Sequence, residues 1–167
     1  MWDYRAFLNG GEAVNNSTAG TCITGPCTGS FFTLYDVQGF VGISGSLPTG
    51  WTYTVQAAGL TPSTQSITDG AAENITFHYT GTSQIVGTGV SLGDFFILTK
   101  WAGINNSGVY SYQTNGLSTS GLYAKYDAGQ GQADVPATPE PTTMLLFGSG
   151  LLALGAFLRR KGTAVAA

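Results

Sequence analysis

The most constraining feature of this sequence is a long uncharged segment near its C-terminus, from Pro141 to Leu158. Leucine, phenylalanine, alanine and glycine make up most of it, and these 18 residues include no Asp, Glu, Lys or Arg. As an α-helix they would extend over about 27 Å, and about 17 to 25 residues are needed to cross the hydrocarbon core of a bilayer. Lipid offers a backbone no hydrogen-bonding partner, so such a segment is stable there only as a helix. The pattern therefore predicts a single transmembrane helix over residues 142–158.

A basic cluster, Arg159-Arg160-Lys161, follows the apolar segment directly. Cytoplasmic flanks of membrane helices are rich in Lys and Arg, and burying such charges in lipid is costly. We therefore expect the tail at residues 159–167 to stay in the cytoplasm and the body to lie across the membrane. Two alternatives remain open: a buried C-terminal helix of a soluble domain, and a tail anchor that no enzyme processes. The residues expected to contact lipid are Met144, Leu145, Leu146, Phe147, Leu151, Leu152, Leu154, Phe157 and Leu158.

The tripeptide Pro139-Glu140-Pro141 stands directly before the apolar segment. Each proline fixes its own φ and disfavours helix at the residue before it, so the linker at residues 134–141 is expected to be extended and accessible. Glu140 fits two interpretations, a recognition group of the motif or an ordinary acidic residue in the first turn of a helix.

In this order, the tripeptide, the apolar segment and the basic cluster closely resemble the PEP-CTERM sorting signal of Gram-negative bacteria, over residues 136–161. The resemblance implies recognition by an exosortase, a multi-pass membrane enzyme similar to cysteine transpeptidases, which cuts near the Pro-Glu-Pro motif and releases or transfers the body. It also implies that the chain is the substrate of that reaction, which requires no catalytic residue of the chain itself.

The N-terminus lacks the feature that export by this route implies. A secretory signal has a basic start, an apolar run of about 7 to 15 residues and a small-residue cleavage site. The first five residues, Met1-Trp2-Asp3-Tyr4-Arg5, begin no such run. We expect that the start of the chain is truncated; the alternative is that the tail inserts alone.

Residues 1–133 show short apolar or alternating runs separated by Gly, Pro, Asn and Asp, a pattern typical of strands and turns. Alternation predicts strands at 51–56 and 74–80. Residues 31–35 and 94–98 are apolar on both faces, which predicts strands buried on both sides or lining a groove. The inward-facing residues of the two alternating strands are predicted to be Trp51, Tyr53, Val55, Ile75, Phe77 and Tyr79.

Seven to nine such strands predict an all-β domain, an antiparallel β-sandwich of jelly-roll-like or immunoglobulin-like topology, followed by the single C-terminal transmembrane helix. About 130 residues are enough to bury a core of their own. The further strands are predicted near residues 38–44, 84–91, 108–114 and 121–126.

The two cysteines, Cys22 and Cys27, enclose the dipeptide Gly25-Pro26. This spacing predicts a small turn closed by a disulfide in an oxidising compartment. On the chain-entropy estimate such a closure stabilises the fold by about 2 kcal/mol. Free thiols are the alternative, and a metal site would need ligands that are not nearby in the sequence.

Charge and chemistry argue against several functions. Charged residues make up 9% of the chain, with 6 Lys and Arg against 9 Asp and Glu, so no basic surface exists to attract nucleic acid. The Gly-x-Ser-x-Gly pattern at residues 89–93 lacks a helix after Ser91 and a later histidine, since His78 precedes it. The carboxylates form no calcium loop, and no two of them stand out as a catalytic pair. We expect no enzyme activity, no metal and no cofactor.

Three aromatic residues, Trp101, Tyr110 and Tyr112, are candidate contacts for a carbohydrate. Their side chains combine an apolar face with a polar group. Tyr110 and Tyr112 fall on one face of a predicted strand, and Trp101 opens a loop, where binding residues often lie. Core packing is the alternative for all three.

These patterns predict an exported, non-enzymatic protein of the cell surface or extracellular matrix. We expect brief anchoring in the inner membrane, processing by an exosortase, and delivery to an exopolysaccharide or biofilm matrix. The alternatives are a secreted carbohydrate-binding module or glycan-active enzyme with the same tail, and a permanently tail-anchored membrane protein.

Overall fold

The structure, a computed structural model, describes residues 1–16, 19–22, 25–117, 123–138 and 145–152. It is mostly antiparallel β, with 54% of residues in strands, which confirms the all-β prediction. The chain divides into two compact units, Met1–Ala137 and Thr138–Ala167.

The described part of the body contains more strands than the seven to nine predicted. The additional ones are mostly segments of two to four residues, too short for an alternating pattern to be visible in the sequence. In chain order the described strands are β1 (Trp2–Leu8), β2 (Glu12–Val14), β3 (Ala19–Cys22), β4 (Gly25–Thr28), β5 (Phe31–Val37), β6 (Phe40–Ile43), β7 (Trp51–Gln56), β8 (Glu73–Tyr79), β9 (Ile85–Val86), β10 (Val90–Thr99), β11 (Gly103–Asn105), β12 (Val109–Leu117), β13 (Tyr123–Gln132) and β14 (Val135–Ala137).

The largest sheet has the order β7-β8-β5-β12-β2-β9, and β13 pairs with the remaining edge of β12. Its neighbouring strands are antiparallel. Ile75, Phe77 and Tyr79 of β8 alternate along the strand and are buried, at 0, 0 and 5% exposure. The inward face predicted for this strand is therefore confirmed.

A second, three-stranded sheet has the order β1-β10-β6, and its aromatic side chains meet those of the large sheet in the core. Phe95 of β10 contacts Phe32, Trp51 and Phe77, with ring centroids 4.9, 5.2 and 4.9 Å away. These contacts are edge-to-face, which aromatic pairs favour. The two sheets thus pack against each other through one aromatic cluster, while the jelly-roll-like or immunoglobulin-like topology stays a prediction.

The outer face of the large sheet is covered at β5 and at Ser111 of β12 by the connection between β7 and β8. The hydroxyls of Thr33 and Tyr35 donate to the carbonyl oxygen of Leu60, at 2.9 and 2.8 Å. Ser111 Oγ donates to the same oxygen at 3.1 Å. Because β5 packs on the core with one face and on this connection with the other, the prediction that residues 31–35 are buried on both sides is confirmed.

Two sequence predictions about the burial of strand faces are wrong. Tyr53 and Val55 of β7 are 40 and 38% exposed, and only Trp51 of that strand is buried. Their partners on β8 are Phe77 and Ile75, so they lie on the inward face, but β7 is at the edge of its sheet and leaves them partly open to solvent. Tyr53 still contacts Phe40 of β6, with ring centroids 6.2 Å apart. In β10 only one face is buried, since Phe95 is fully enclosed while Leu98 is 37% exposed.

The segment that contains the cysteines forms a hairpin of β3 and β4. Its register pairs Cys22 with Gly25 and Cys27 with Gly20, so the two cysteines are offset by two residues and are not direct partners. The side chains of both cysteines lie outside those that the structure describes, so the Cys22–Cys27 disulfide stays a prediction without structural support.

The C-terminal unit contains one described helix, α1, at residues 145–152. None of the helices in the described ranges is long and apolar enough to cross a membrane. Of the predicted span 142–158, residues 142–144 and 153–158 lie outside the described ranges. The side chains of α1 are exposed, including those of Leu145, Phe147 and Leu152.

Candidate functional site

The C-terminal end of the body is held in place by several elements. Val135 is fully buried, and β14 pairs with β11 so that Ile104 faces Pro136. The backbone N–H of Gln38 donates to the carbonyl oxygen of Pro136 at 3.2 Å. The hydroxyl of Tyr4 donates to the carbonyl oxygen of Asp134 at 2.9 Å. The folded body therefore extends to Ala137 and includes four residues, 134–137, that the sequence placed in an extended, accessible linker.

Much of the predicted sorting segment lies outside the described residues. This applies to the motif Pro139-Glu140-Pro141 and to the basic cluster at 159–161. It also applies to Met144, Leu154, Phe157 and Leu158 of the predicted anchor. The anchor residues that are described, Leu145, Leu146, Phe147, Leu151 and Leu152, lie on α1 and are exposed.

The family comparison decides the nature of this segment, because the model of the PEP-CTERM protein-sorting motif matches residues 137–161. The chain carries a PEP-CTERM sorting motif. The match confirms the resemblance read from the tripeptide, the apolar segment and the basic cluster. The PEP-CTERM motif thus begins at Ala137, the last residue of β14 and of the compact body. No curated protein and no solved structure matches the chain.

The PEP-CTERM motif implies export and sorting toward the cell surface through an exosortase. It explains the tail of the chain and leaves the body without an assigned role. A function of the body would lie in its own pockets and side-chain clusters.

The three aromatic residues predicted as carbohydrate contacts do not lie together. Trp101 borders a shallow pocket with Met1, Lys100 and Ile104, and its ring packs on Gly39. Gly39 has a φ of +63°, and a Cβ there would come within 2.4 Å of the indole, so only glycine fits. Trp101 is thus placed by a tight turn, away from the two tyrosines.

Tyr110 and Tyr112 lie side by side on β12 and line a cavity of about 330 Å³. Their ring centroids are 6.4 Å apart and their planes differ by 27°. The opposite wall of the cavity comes from β1, with Tyr4, Ala6 and Leu8. A cavity of this size falls at the lower end of the range of small-molecule sites, about 300–1,000 Å³.

A buried carboxylate, Glu12 of β2, lines the same cavity and was not singled out by the sequence. Its residue exposure is 9%, and burial raises its pKa, with a further increase from the charge of Asp127 and an opposing effect of the Thr114 hydroxyl. Burial also raises the pKa of Tyr112, to which the charges of Glu12 and Asp127 add. The structure therefore brings two carboxylates close to the paired tyrosines.

Glu12→Gln is expected to raise the free energy of unfolding at pH 7. A carboxyl group whose pKa is raised by folding contributes stability that is present below its unfolded pKa and lost as the pH rises through the folded pKa. The advantage of the variant should therefore shrink toward pH 4, where an unfolded glutamate, with a pKa of about 4.3, is also largely protonated. Urea unfolding at pH 4 and pH 7 measures this difference.

The matched control is Glu73→Gln, which changes an exposed glutamate at the start of β8. We expect little change from it at either pH. A Glu12→Gln protein less stable than the parent at pH 7 would contradict the assignment of Glu12 as a desolvated carboxylate.

The residues weighed for catalysis lie on different sheets. Ser91 is in β10 of the three-stranded sheet, and its Oγ accepts a hydrogen bond from Gly93 N at 3.2 Å. His78 is in β8 of the large sheet, where its Nε2 pairs with Thr54 Oγ1 at 2.9 Å. Burial lowers the pKa of His78. Within the described ranges no cluster of three metal-ligating side chains occurs.

Proposed function

We propose that this chain is an exported, non-enzymatic protein of the cell surface or extracellular matrix, sorted by its PEP-CTERM motif and processed by an exosortase. The observation that carries the proposal is the match of that motif to residues 137–161. The low charge of the chain and its β-rich body are compatible with an exported binding or structural protein.

The position of the motif relative to the fold supports processing at Pro139-Glu140-Pro141. The last body residue with a described tertiary contact is Ala137, which pairs with Gly103, and the compact unit ends at the same residue. A cut after this point breaks a bond beyond the last strand, so it would release the body without removing any of its core. This is the arrangement required of a detachable sorting signal.

The apolar segment supplies the membrane step of the proposal. It would hold the protein in the inner membrane for the time before processing, with Arg159, Arg160 and Lys161 on the cytoplasmic side. The described leucine and phenylalanine side chains of α1 are exposed and can contact lipid or the membrane enzyme. An exosortase and the inner membrane are thus the proposed partners, and an exopolysaccharide matrix is the proposed destination.

Mass spectrometry of the mature C-terminus tests this proposal. In cells that contain an exosortase, we expect surface material to lack Arg159-Arg160-Lys161, and Glu140→Ala to slow release while membrane insertion continues. The matched control is Asp134→Asn, which removes an exposed charge outside the tripeptide and should be released normally. Surface protein that retains its basic end would favour the permanently anchored alternative, and unchanged release of Glu140→Ala would remove the recognition role of that residue.

A second candidate function for the body is carbohydrate binding. The specific observation that favours it is the cavity in which Tyr110, Tyr112 and Glu12 meet. Carbohydrate binding is compatible with sorting, since the two functions use different parts of the chain.

A further inference from the structure

The tyrosines of β12 form a flat surface because of the residues opposite them on β13. The register pairs Tyr110 with Gly131 and Tyr112 with Gly129. A Cβ on Gly129 would lie 2.6 Å from the outer ring atoms of Tyr112, and one on Gly131 would lie 2.7 Å from the hydroxyl oxygen of Tyr110. Both distances are far below a normal carbon contact, so each ring lies down across the neighbouring strand in space that only glycine leaves free.

The two rings are neighbours along the strand rather than a face-to-face stack. Their centroid separation of 6.4 Å is close to the spacing of alternate residues on one strand, about 6.6–6.8 Å. One face of each ring rests on β13, so the face that lines the cavity is the opposite one. The result is a continuous aromatic surface two rings long, which we call the tyrosine platform, Tyr110 and Tyr112.

Polar groups surround one end of the tyrosine platform. Glu12 lines the cavity, and Asp127 is close enough to both Glu12 and Tyr112 to influence their ionisation. Thr114, also in the cavity wall, has a buried hydroxyl that interacts with the Glu12 carboxylate. Gln132 adds an exposed amide side chain at the rim. A flat apolar surface with hydrogen-bonding groups at its edge suits a ligand that has both an apolar face and hydroxyl donors.

We infer that the tyrosine platform binds a neutral saccharide of one or two sugar rings, with C–H groups on Tyr110 and Tyr112 and ring hydroxyls donating to Glu12. A sugar ring combines an apolar face with several hydroxyls, which matches this distribution of groups. Anionic sugars are disfavoured, because their carboxylates would approach the charges of Glu12 and Asp127. The inference rests on the carbohydrate-binding candidate and is independent of sorting by the tail.

The same geometry also fits a purely structural role, in which the two tyrosines stabilise the sheet and bind no ligand. Aromatic side chains laid over glycines of an adjacent strand also stabilise a sheet. In that case Tyr112→Leu would lower stability but no saccharide would respond to the change.

Isothermal titration calorimetry with full-length protein in detergent micelles tests the inference. The probes are cellobiose, maltose and lactose, with glucuronic acid as the anionic comparison. We expect at least one disaccharide to bind, glucuronic acid not to bind, and Tyr112→Leu to weaken disaccharide binding about tenfold, the usual effect of losing one good contact. Tyr112→Phe retains the ring and should bind within about threefold of the parent.

The matched control is Tyr53→Leu, which removes a 40% exposed tyrosine of β7 that does not line the cavity. It should leave disaccharide binding unchanged. Equal weakening by Tyr53→Leu and Tyr112→Leu, or equal binding by both, would overturn the platform as the site while leaving carbohydrate binding elsewhere intact. Absence of binding to every disaccharide would overturn both the site and the carbohydrate-binding candidate, and the sorting function would stand.

Discussion

Replacing Phe95 by alanine is expected to lower the free energy of unfolding by about 3–5 kcal/mol, the usual cost of truncating a buried phenylalanine. Phe95 is fully buried and touches three aromatic rings of the other sheet, Phe32, Trp51 and Phe77. Its removal leaves a cavity between the two sheets, which rigid strands on both sides cannot close. Urea unfolding of the parent and the variant measures the difference.

The matched control for this substitution is Phe7→Ala in β1. Phe7 has the same side chain on the three-stranded sheet, but it is 59% exposed. Its removal should change the free energy of unfolding by less than about 1 kcal/mol. Similar losses for the two variants would mean that the aromatic cluster does not join the sheets as described.

Ending the chain after Ala133 is expected to destabilise the body by about 3 kcal/mol or more. The truncation removes β14, with the fully buried Val135, its pairing to β11 and the contact of Pro136 with Gln38. Burial of a valine contributes about 1.5–3 kcal/mol, and each backbone hydrogen bond adds about 1 kcal/mol. Thermal or urea unfolding of the shortened chain measures the loss.

The control truncation ends after Ala137 and retains every strand of the body. We expect it to be as stable as the parent. If both truncations unfold at the same denaturant concentration, then β14 contributes nothing and the boundary of the body must lie earlier. If the chain ending at Ala137 is itself unstable, then processing near Pro139 would not leave an intact body.

These two truncations bear directly on sorting. A signal that is cut off must begin where the fold has ended, and the PEP-CTERM match begins at Ala137. The interval from Thr138 to Pro141 is therefore the part of the chain in which cutting costs the body no tertiary contact that the structure describes. Sorting then depends on a linear segment and remains separable from the function of the body.

Parts of the fold that depend on local pattern could be predicted from the sequence. Alternation placed Ile75, Phe77 and Tyr79 on the inward face of β8, and the apolar run at 31–35 indicated a central strand, both as observed. The same reasoning placed Tyr53 and Val55 on the correct face of β7 but was wrong about their burial. Alternation indicates which side chains share a face, and it does not indicate whether another element covers that face. Whether a second sheet extends over β7 is a property of the tertiary structure.

The candidate site of the body illustrates the same limit. The sequence singled out Tyr110 and Tyr112, and it also contains Gly129-Gln130-Gly131, but nothing local connects these residues. Only the register of β12 and β13 places each glycine under a tyrosine. Glu12, about a hundred residues away, reaches the same cavity because β2 pairs with the far end of β12.

The sequence by itself determined the sorting motif and the all-β class, since a linear signal is read as a segment and strand alternation is a local property. The tertiary structure alone decided where the body ends, which strand faces are covered, and which side chains share a cavity. These depend on pairings between residues far apart in the chain, whose energies come from packing and desolvation at contacts that no local pattern specifies.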